Sequence, residues 1–131
     1  MEEKENKKEQ SSILKKASAF VERLYKEKIP EKYHYHNLAH TEEVVEVSEE
    51  IASHYKIPAD QLEALLLAAW FHDTGYTVEY DNHEDNSIEI AGKFLWENNY
   101  SEEKIKLVQK IIEATKHDSK PENILEEIIK D

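Results

Sequence analysis

The sequence predicts an all-α fold, a bundle of about six helices, on three observations. Apolar residues recur at three- and four-residue spacing in successive segments, no alternating stretch is long enough for a strand, and the 131 residues include only two glycines. A chain of this length builds one domain with a proper core, which we expect over residues 11–131 behind a charged, frayed tail at residues 1–10.

The first helix starts at Ser11 or Ser12, both good N-caps, and carries Ile13, Leu14, Ala17, Phe20, Val21, Leu24 and Tyr25 to an end near Lys28, before Pro30. A polar and aromatic segment, Tyr33 to His40, then runs into a second helix with Val44, Val45, Ser48, Ile51, Ala52 and Tyr55 inward. His40 heads that stripe and is expected to point towards the core, either as a satisfied core group or as a ligand. His36 stands one turn earlier, before or at the helix start. The spacing from His36 to His40 resembles that of zinc proteases, but Asn37 occupies the place of their glutamate, which excludes that chemistry.

Pro58 and Asp60 open the third helix. Its residues Ala64 to Phe71 are eight consecutive apolar side chains, so it is buried on all sides, and it delivers His72 and Asp73 into that buried place. An ionised carboxylate out of water requires a cation or hydrogen bonds. A metal is the simplest cation; a capping role for Asp73 and a carbonyl-bound His72 form the structural alternative. Gly75 makes the helix easy to end.

After a loop rich in Tyr and Asp, a fourth helix starts near His83 with Ala91, Phe94 and Leu95 inward. Glu84 and Ser87 fall on the same stripe where apolar residues are expected, and His83 lies one position round. Ser101 caps a fifth helix with Ile105, Val108, Ile111, Ile112 and Thr115 inward, closing at Lys116 and His117. His117 falls opposite that stripe and reaches a site only if the helix has already unwound. Ser119 to Glu122 opens a sixth helix with capping-box spacing, burying Ile124, Leu125, Ile128 and Ile129.

Composition removes several function classes. There are no cysteines, which leaves His, Asp and Glu as possible metal ligands. The formal net charge of -12 excludes a surface for duplex nucleic acid, which needs a basic footprint, but not a small phosphorylated substrate, because a cation reverses the local sign. No apolar run approaches a membrane span and no signal sequence is visible, so a cytoplasmic protein without membrane contact is expected. Exposed Tyr and Trp residues could serve a homodimer interface.

The order of these groups, a histidine, then His-Asp, then an aspartate near the last helix, resembles the HD superfamily of metal-dependent phosphohydrolases. Tyr35 to His40 resembles a motif of the cyclic-nucleotide phosphodiesterases within it. Tyr35 to Thr41, Ala68 to Tyr76, Asn82 to Ser87 and Ala114 to Lys116 resemble the pattern of small bacterial HD-domain proteins. The resemblance implies that His40, His72 and Asp73 ligate a divalent metal ion, with His83 and His117 holding a second. Fe, Mn, Mg, Zn and Ni are not distinguished. It further implies a last aspartate ligand: either Asp131 serves, or that ligand lies beyond the chain end.

In that reading water activated by the cation attacks phosphorus, with Asp73, Glu84 and His36 as the catalytic residues. Glu84 orients the water, His36 protonates the leaving oxygen, and Lys116 is a candidate phosphate contact. The expected substrate is a phosphate ester or anhydride of a nucleotide or similar small metabolite. The alternative from another class is a non-catalytic module that binds metal or nucleotide and regulates a partner.

Overall fold

The computed structural model describes residues 12–29, 31–78, 82–116 and 118–130, with the side chains of residues 31–36 also outside the description. The described residues are helical throughout, with no strand among them. Six α-helices run in the order α1 (Ser12–Lys28), α2 (Glu31–Ala52), α3 (Ala59–Phe71), α4 (His83–Glu97), α5 (Glu102–Glu113) and α6 (Ile124–Lys130), with a 3-10 turn, Thr74–Thr77, between α3 and α4. The expected tail at residues 1–10 lies outside the described residues.

Helix α3 is the axis of the bundle. Ala64 to Ala69 and Phe71 are all buried, as the unbroken apolar run requires, and α1, α2, α4, α5 and α6 all pack against it. Phe20 of α1, Phe71 of α3 and Phe94 of α4 form one aromatic cluster, with ring centroids 4.9 to 6.0 Å apart, that locks three helices around the C-terminal end of α3.

Two boundaries differ from the sequence expectation. Helix α2 begins at Glu31, so His36 lies inside the helix instead of at its start. It ends at Ala52, which leaves Tyr55 in the following turn and exposed, although the apolar stripe placed it inward. The buried line on α2 runs through Thr41, Ser48 and Ala52. Helix α6 starts at Ile124, later than the Ser119 to Glu122 pattern suggested. Its cap is Asn123, whose Oδ1 accepts from the Glu126 N–H at 2.9 Å while Glu126 Oε1 accepts from the Glu122 N–H at 3.1 Å. These bonds, with a third from Asn123 Nδ2 at 3.0 Å, make the burial of the Glu126 carboxylate tolerable.

The end of α4 is a Schellman motif built without glycine: Asn99 takes the left-handed conformation at φ 61°, Asn99 N–H donates to Trp96 O, and Tyr100 N–H to Leu95 O. The last residue of α6 closes the end of α5, where Lys130 Nζ donates to Ala114 O at 3.2 Å and Lys116 O at 2.7 Å.

Candidate metal centre

Helix α3 stops at Phe71, and its last carbonyls are satisfied by side chains. Thr74 Oγ1 donates to Phe71 O at 2.7 Å, Ser87 Oγ of α4 donates to His72 O at 2.8 Å, and the His72 ring bonds Ala69 O at 2.6 Å. Ser87 Oγ also accepts from the Gly75 N–H at 2.8 Å, so one fully buried hydroxyl clips the turn after α3 to α4. Ser87 interrupts the apolar stripe for this purpose. Gly75 is needed here for close approach, not for a left-handed helix end: a Cβ would overlap the His83 carbonyl, and its φ is not positive.

A carbonyl oxygen only accepts, so the His72 Nδ1 carries the proton and Nε2 faces the other way. There it meets Asp73 Oδ2 at 3.1 Å. His40 Nε2 reaches the same oxygen at 3.4 Å, and the three ligating atoms lie within 4.8 Å of one another. Metal–ligand bonds of about 2.1 Å place neighbouring donors roughly 3.0 to 3.5 Å apart, so these separations fit a shared ion. His40 is not turned into the core as its place on the stripe suggested. Its side chain is 54% exposed at the rim, while Asp73 is only 16% exposed. The buried line of α2 passes through its neighbour Thr41 instead.

The other oxygen of Asp73 faces α4. His83 Nε2 lies 3.6 Å from Asp73 Oδ1, while its Nδ1 lies 3.3 Å from Glu84 Oε1, and the Tyr76 ring stacks on it at 3.9 Å with a 10° interplanar angle. Glu84 thus holds the far side of His83, the arrangement by which an outer carboxylate orients a ligating imidazole. Asp73 stands between two histidine groups, one on each carboxylate oxygen.

The electrostatics follow from this crowding. Burial raises the Asp73 pKa, but the His72 hydrogen bond and the charges of His72, His40 and His83 outweigh it and hold the carboxyl below its ordinary 3.8. Burial lowers the His72 pKa, yet the bond to Asp73, its charge and the Ala69 carbonyl together raise it above the ordinary 6.5. An electron pair on Nε2 facing a carboxylate at 3.1 Å requires a positive charge between them, a proton or a metal ion.

Sequence reasoning missed the support from α1. The buried Tyr25 hydroxyl lies 3.4 Å from Thr41 Oγ1, tying α1 to the turn of α2 that carries His40. Burial, and then the nearby Asp73 charge working against the Thr41 bond, raise the Tyr25 pKa. The only signal was its place on an apolar stripe, where tyrosine reads as packing. Lys116 pairs with Asp85 at 2.8 Å on the α4 rim. The His36 side chain, His117 and Asp131 lie outside the described residues.

The HD domain family model matches residues 37–131, which contain the residues of this centre apart from Tyr25 and the candidate His36. The chain belongs to the HD-domain family. Comparison with curated proteins and with solved structures finds no match. Members of the HD family are typically hydrolases that bind divalent metal ions, and the His40, His72 and Asp73 group of this HD domain is compatible with such an ion. No described helix of the HD domain is long and apolar enough to cross a membrane.

Proposed function

We propose that this chain is a metal-dependent phosphohydrolase that cleaves a phosphate ester or anhydride of a nucleotide or similar small metabolite. The observation that carries the reading is the His72 ring, whose only proton-bearing nitrogen in the neutral form is committed to Ala69 O while the other faces Asp73. His40, His72 and Asp73 Oδ2 would hold one divalent cation, and Asp73 Oδ1 with His83 a second. His117 and Asp131 would complete the ligand set. A bound divalent cation lowers the pKa of water towards neutrality and offsets charge on phosphoryl oxygens.

The chain's own groups do the remaining work. Ala69 O fixes the His72 tautomer, and Ser87 fixes the turn that aims His72 and Asp73 at one point. Glu84 holds His83 in orientation and orients the attacking water. His36, five residues after the start of α2 and one turn before His40, protonates the leaving oxygen, a role for which an imidazole suits neutral pH. Asp73 is largely screened from solvent, which strengthens its hold on a cation.

Elemental analysis of the purified protein, with and without His72→Ala and Asp73→Ala, paired with hydrolysis of an aryl phosphodiester and of nucleoside monophosphates, tests this. One or two metal ions per chain that vanish in the variants together with turnover support the hydrolase. Metal retained without turnover of any ester points instead to the binding module.

A further inference from the structure

Beside the metal centre lies a cleft of about 360 Å³ whose rim carries His40 and His72. Its walls face each other across two helices: Val44 and Val47 from α2, Ile128 and Ile129 from α6. The volume falls within the range of small-molecule sites, and aliphatic walls are combined with polar groups that could orient a ligand.

The polar groups are specific. Ser48, 2% exposed, lines the cleft and has no hydrogen-bond partner among the described residues. A buried hydroxyl without a partner forfeits a hydrogen bond, so it calls for one from a ligand. Thr115 Oγ1 also lines the cleft but donates to Ile112 O at 2.6 Å, which leaves it only acceptor capacity. Lys130 Nζ is engaged by the Ala114 and Lys116 carbonyls, and Glu43 adds a carboxylate at the edge. Apolar walls, an acceptor-rich edge and a committed lysine disfavour a second phosphate or any polyanion.

Resting on the hydrolase reading and deepening it, we infer that this cleft seats the organic half of the substrate, a flat uncharged heteroaromatic group. Its faces lie against the α2 and α6 side chains, and Ser48 bonds its polar edge. The phosphate end then lies at His40 and His72, on the same rim. Ser48 is thus a specificity-determining residue, selecting ring-bearing phosphate esters over small alkyl phosphates and inorganic polyphosphates.

The test uses the full chain and a probe that lacks phosphate, so that binding is read apart from turnover. In an NMR titration with adenosine, saturable shifts are expected at the amides of Val44 to Ser48 and of Ile128 and Ile129, with free ribose producing none. Ser48→Ala is expected to weaken adenosine binding roughly threefold to tenfold, the effect of one hydrogen bond. Val47→Trp, at a position 42% exposed and so safe for folding, should abolish binding by filling the cleft. Trp96→Ala, on α4 and 68% exposed, should leave it unchanged. Absence of saturable shifts in the cleft while phosphate esters are hydrolysed overturns this inference and leaves the hydrolase intact. Cleft shifts that respond to Ser48→Ala, in a protein that hydrolyses no ester with any divalent metal, overturn the hydrolase and leave the ring-binding site standing.

Discussion

The two ends of α3 each bring a carboxylate against aromatic partners, with opposite outcomes. Near the start, Glu63 accepts a 2.7 Å hydrogen bond from the Tyr100 hydroxyl, a donor with no competing partner among the described residues. Past the end, Asp73 is faced by His40, His72 and His83 at 3.4, 3.1 and 3.6 Å, and the closest of these has its Nδ1 proton on Ala69 O. Glu63 is satisfied by the protein alone. Asp73 gains its closest partner, His72 Nε2, only when a proton or a metal ion stands between them. A carboxylate whose closest neighbour has its ring proton committed elsewhere is a candidate cation site, and one with a dedicated donor is packing.

The strongest way to break the contrast is Asp73→Ala. It removes the carboxylate that both histidine groups face, one on each oxygen, so metal content should fall to background. Affinity should drop by more than the roughly 10- to 100-fold that follows loss of a group one shell further out. Metal content equal to that of the unchanged protein, measured by elemental analysis, would place the ion elsewhere. Glu63→Gln should leave metal content unchanged.

The next contrast is in pH. In the metal-free chain the lowered Asp73 pKa contributes stability that is present above 3.8 and is lost as pH falls through the depressed value. The raised His72 pKa contributes stability that is present below 6.5 and is lost as pH rises through the elevated value. These two groups therefore favour the metal-free fold most between about 3.8 and 6.5. A divalent ion competes with protons for His72 Nε2 and the Asp73 carboxylate, so its stabilisation grows as pH rises. Urea midpoints with chelator should fall from about pH 5.5 to about pH 8.5, whereas added Mn²⁺ should make its own stabilising increment larger over that interval. An increment independent of pH would separate the ion from these two groups.

A smaller effect is expected at Gly75. Gly75→Ala drives a methyl group into the backbone of His83, which cannot yield as a side-chain tip could. Overpacking of this kind destabilises by about 1–3 kcal/mol. Because the obstruction lies between the two histidine groups around Asp73, metal affinity should fall with stability. Urea unfolding and metal titration of the same variant check both, and a stability loss with unchanged metal affinity would show that the turn and the centre are uncoupled.

These features were unequally legible in the sequence. The core of α3 and the placement of His72 and Asp73 were readable because eight apolar residues in succession leave no solvent face. The boundary of α2 was not, since Tyr33 to His36 carry no helical apolar repeat and propensity alone is a weak guide. At α6 two overlapping capping patterns compete, and Asn123 with Glu126 prevails over Ser119 with Glu122; spacing cannot decide between them. Ser87 stood out as a polar residue on a buried stripe, but its two backbone partners come from a turn remote in sequence. Ser48 was harder still, because a small hydroxyl on an apolar stripe reads as a tolerated packing residue until its lack of a partner is seen.

The smallest effect sharpens the comparison from the other side. Tyr100→Phe removes the Glu63 donor and leaves a half-buried carboxylate that water can still reach. Burial and then the bond to Glu63 and its charge raise the Tyr100 pKa, so the phenol stays protonated and donating at neutral pH. Loss of one such bond costs about 0.5–1.5 kcal/mol, and the loss should be independent of added metal. The Asp73 end should behave in the reverse manner: removing its carboxylate is expected to abolish any metal-dependent part of stability. A Tyr100→Phe variant whose urea midpoint shifted only in the presence of Mn²⁺ would mean that the two ends of α3 are energetically coupled, and that the dedicated bond at Glu63 also serves the centre.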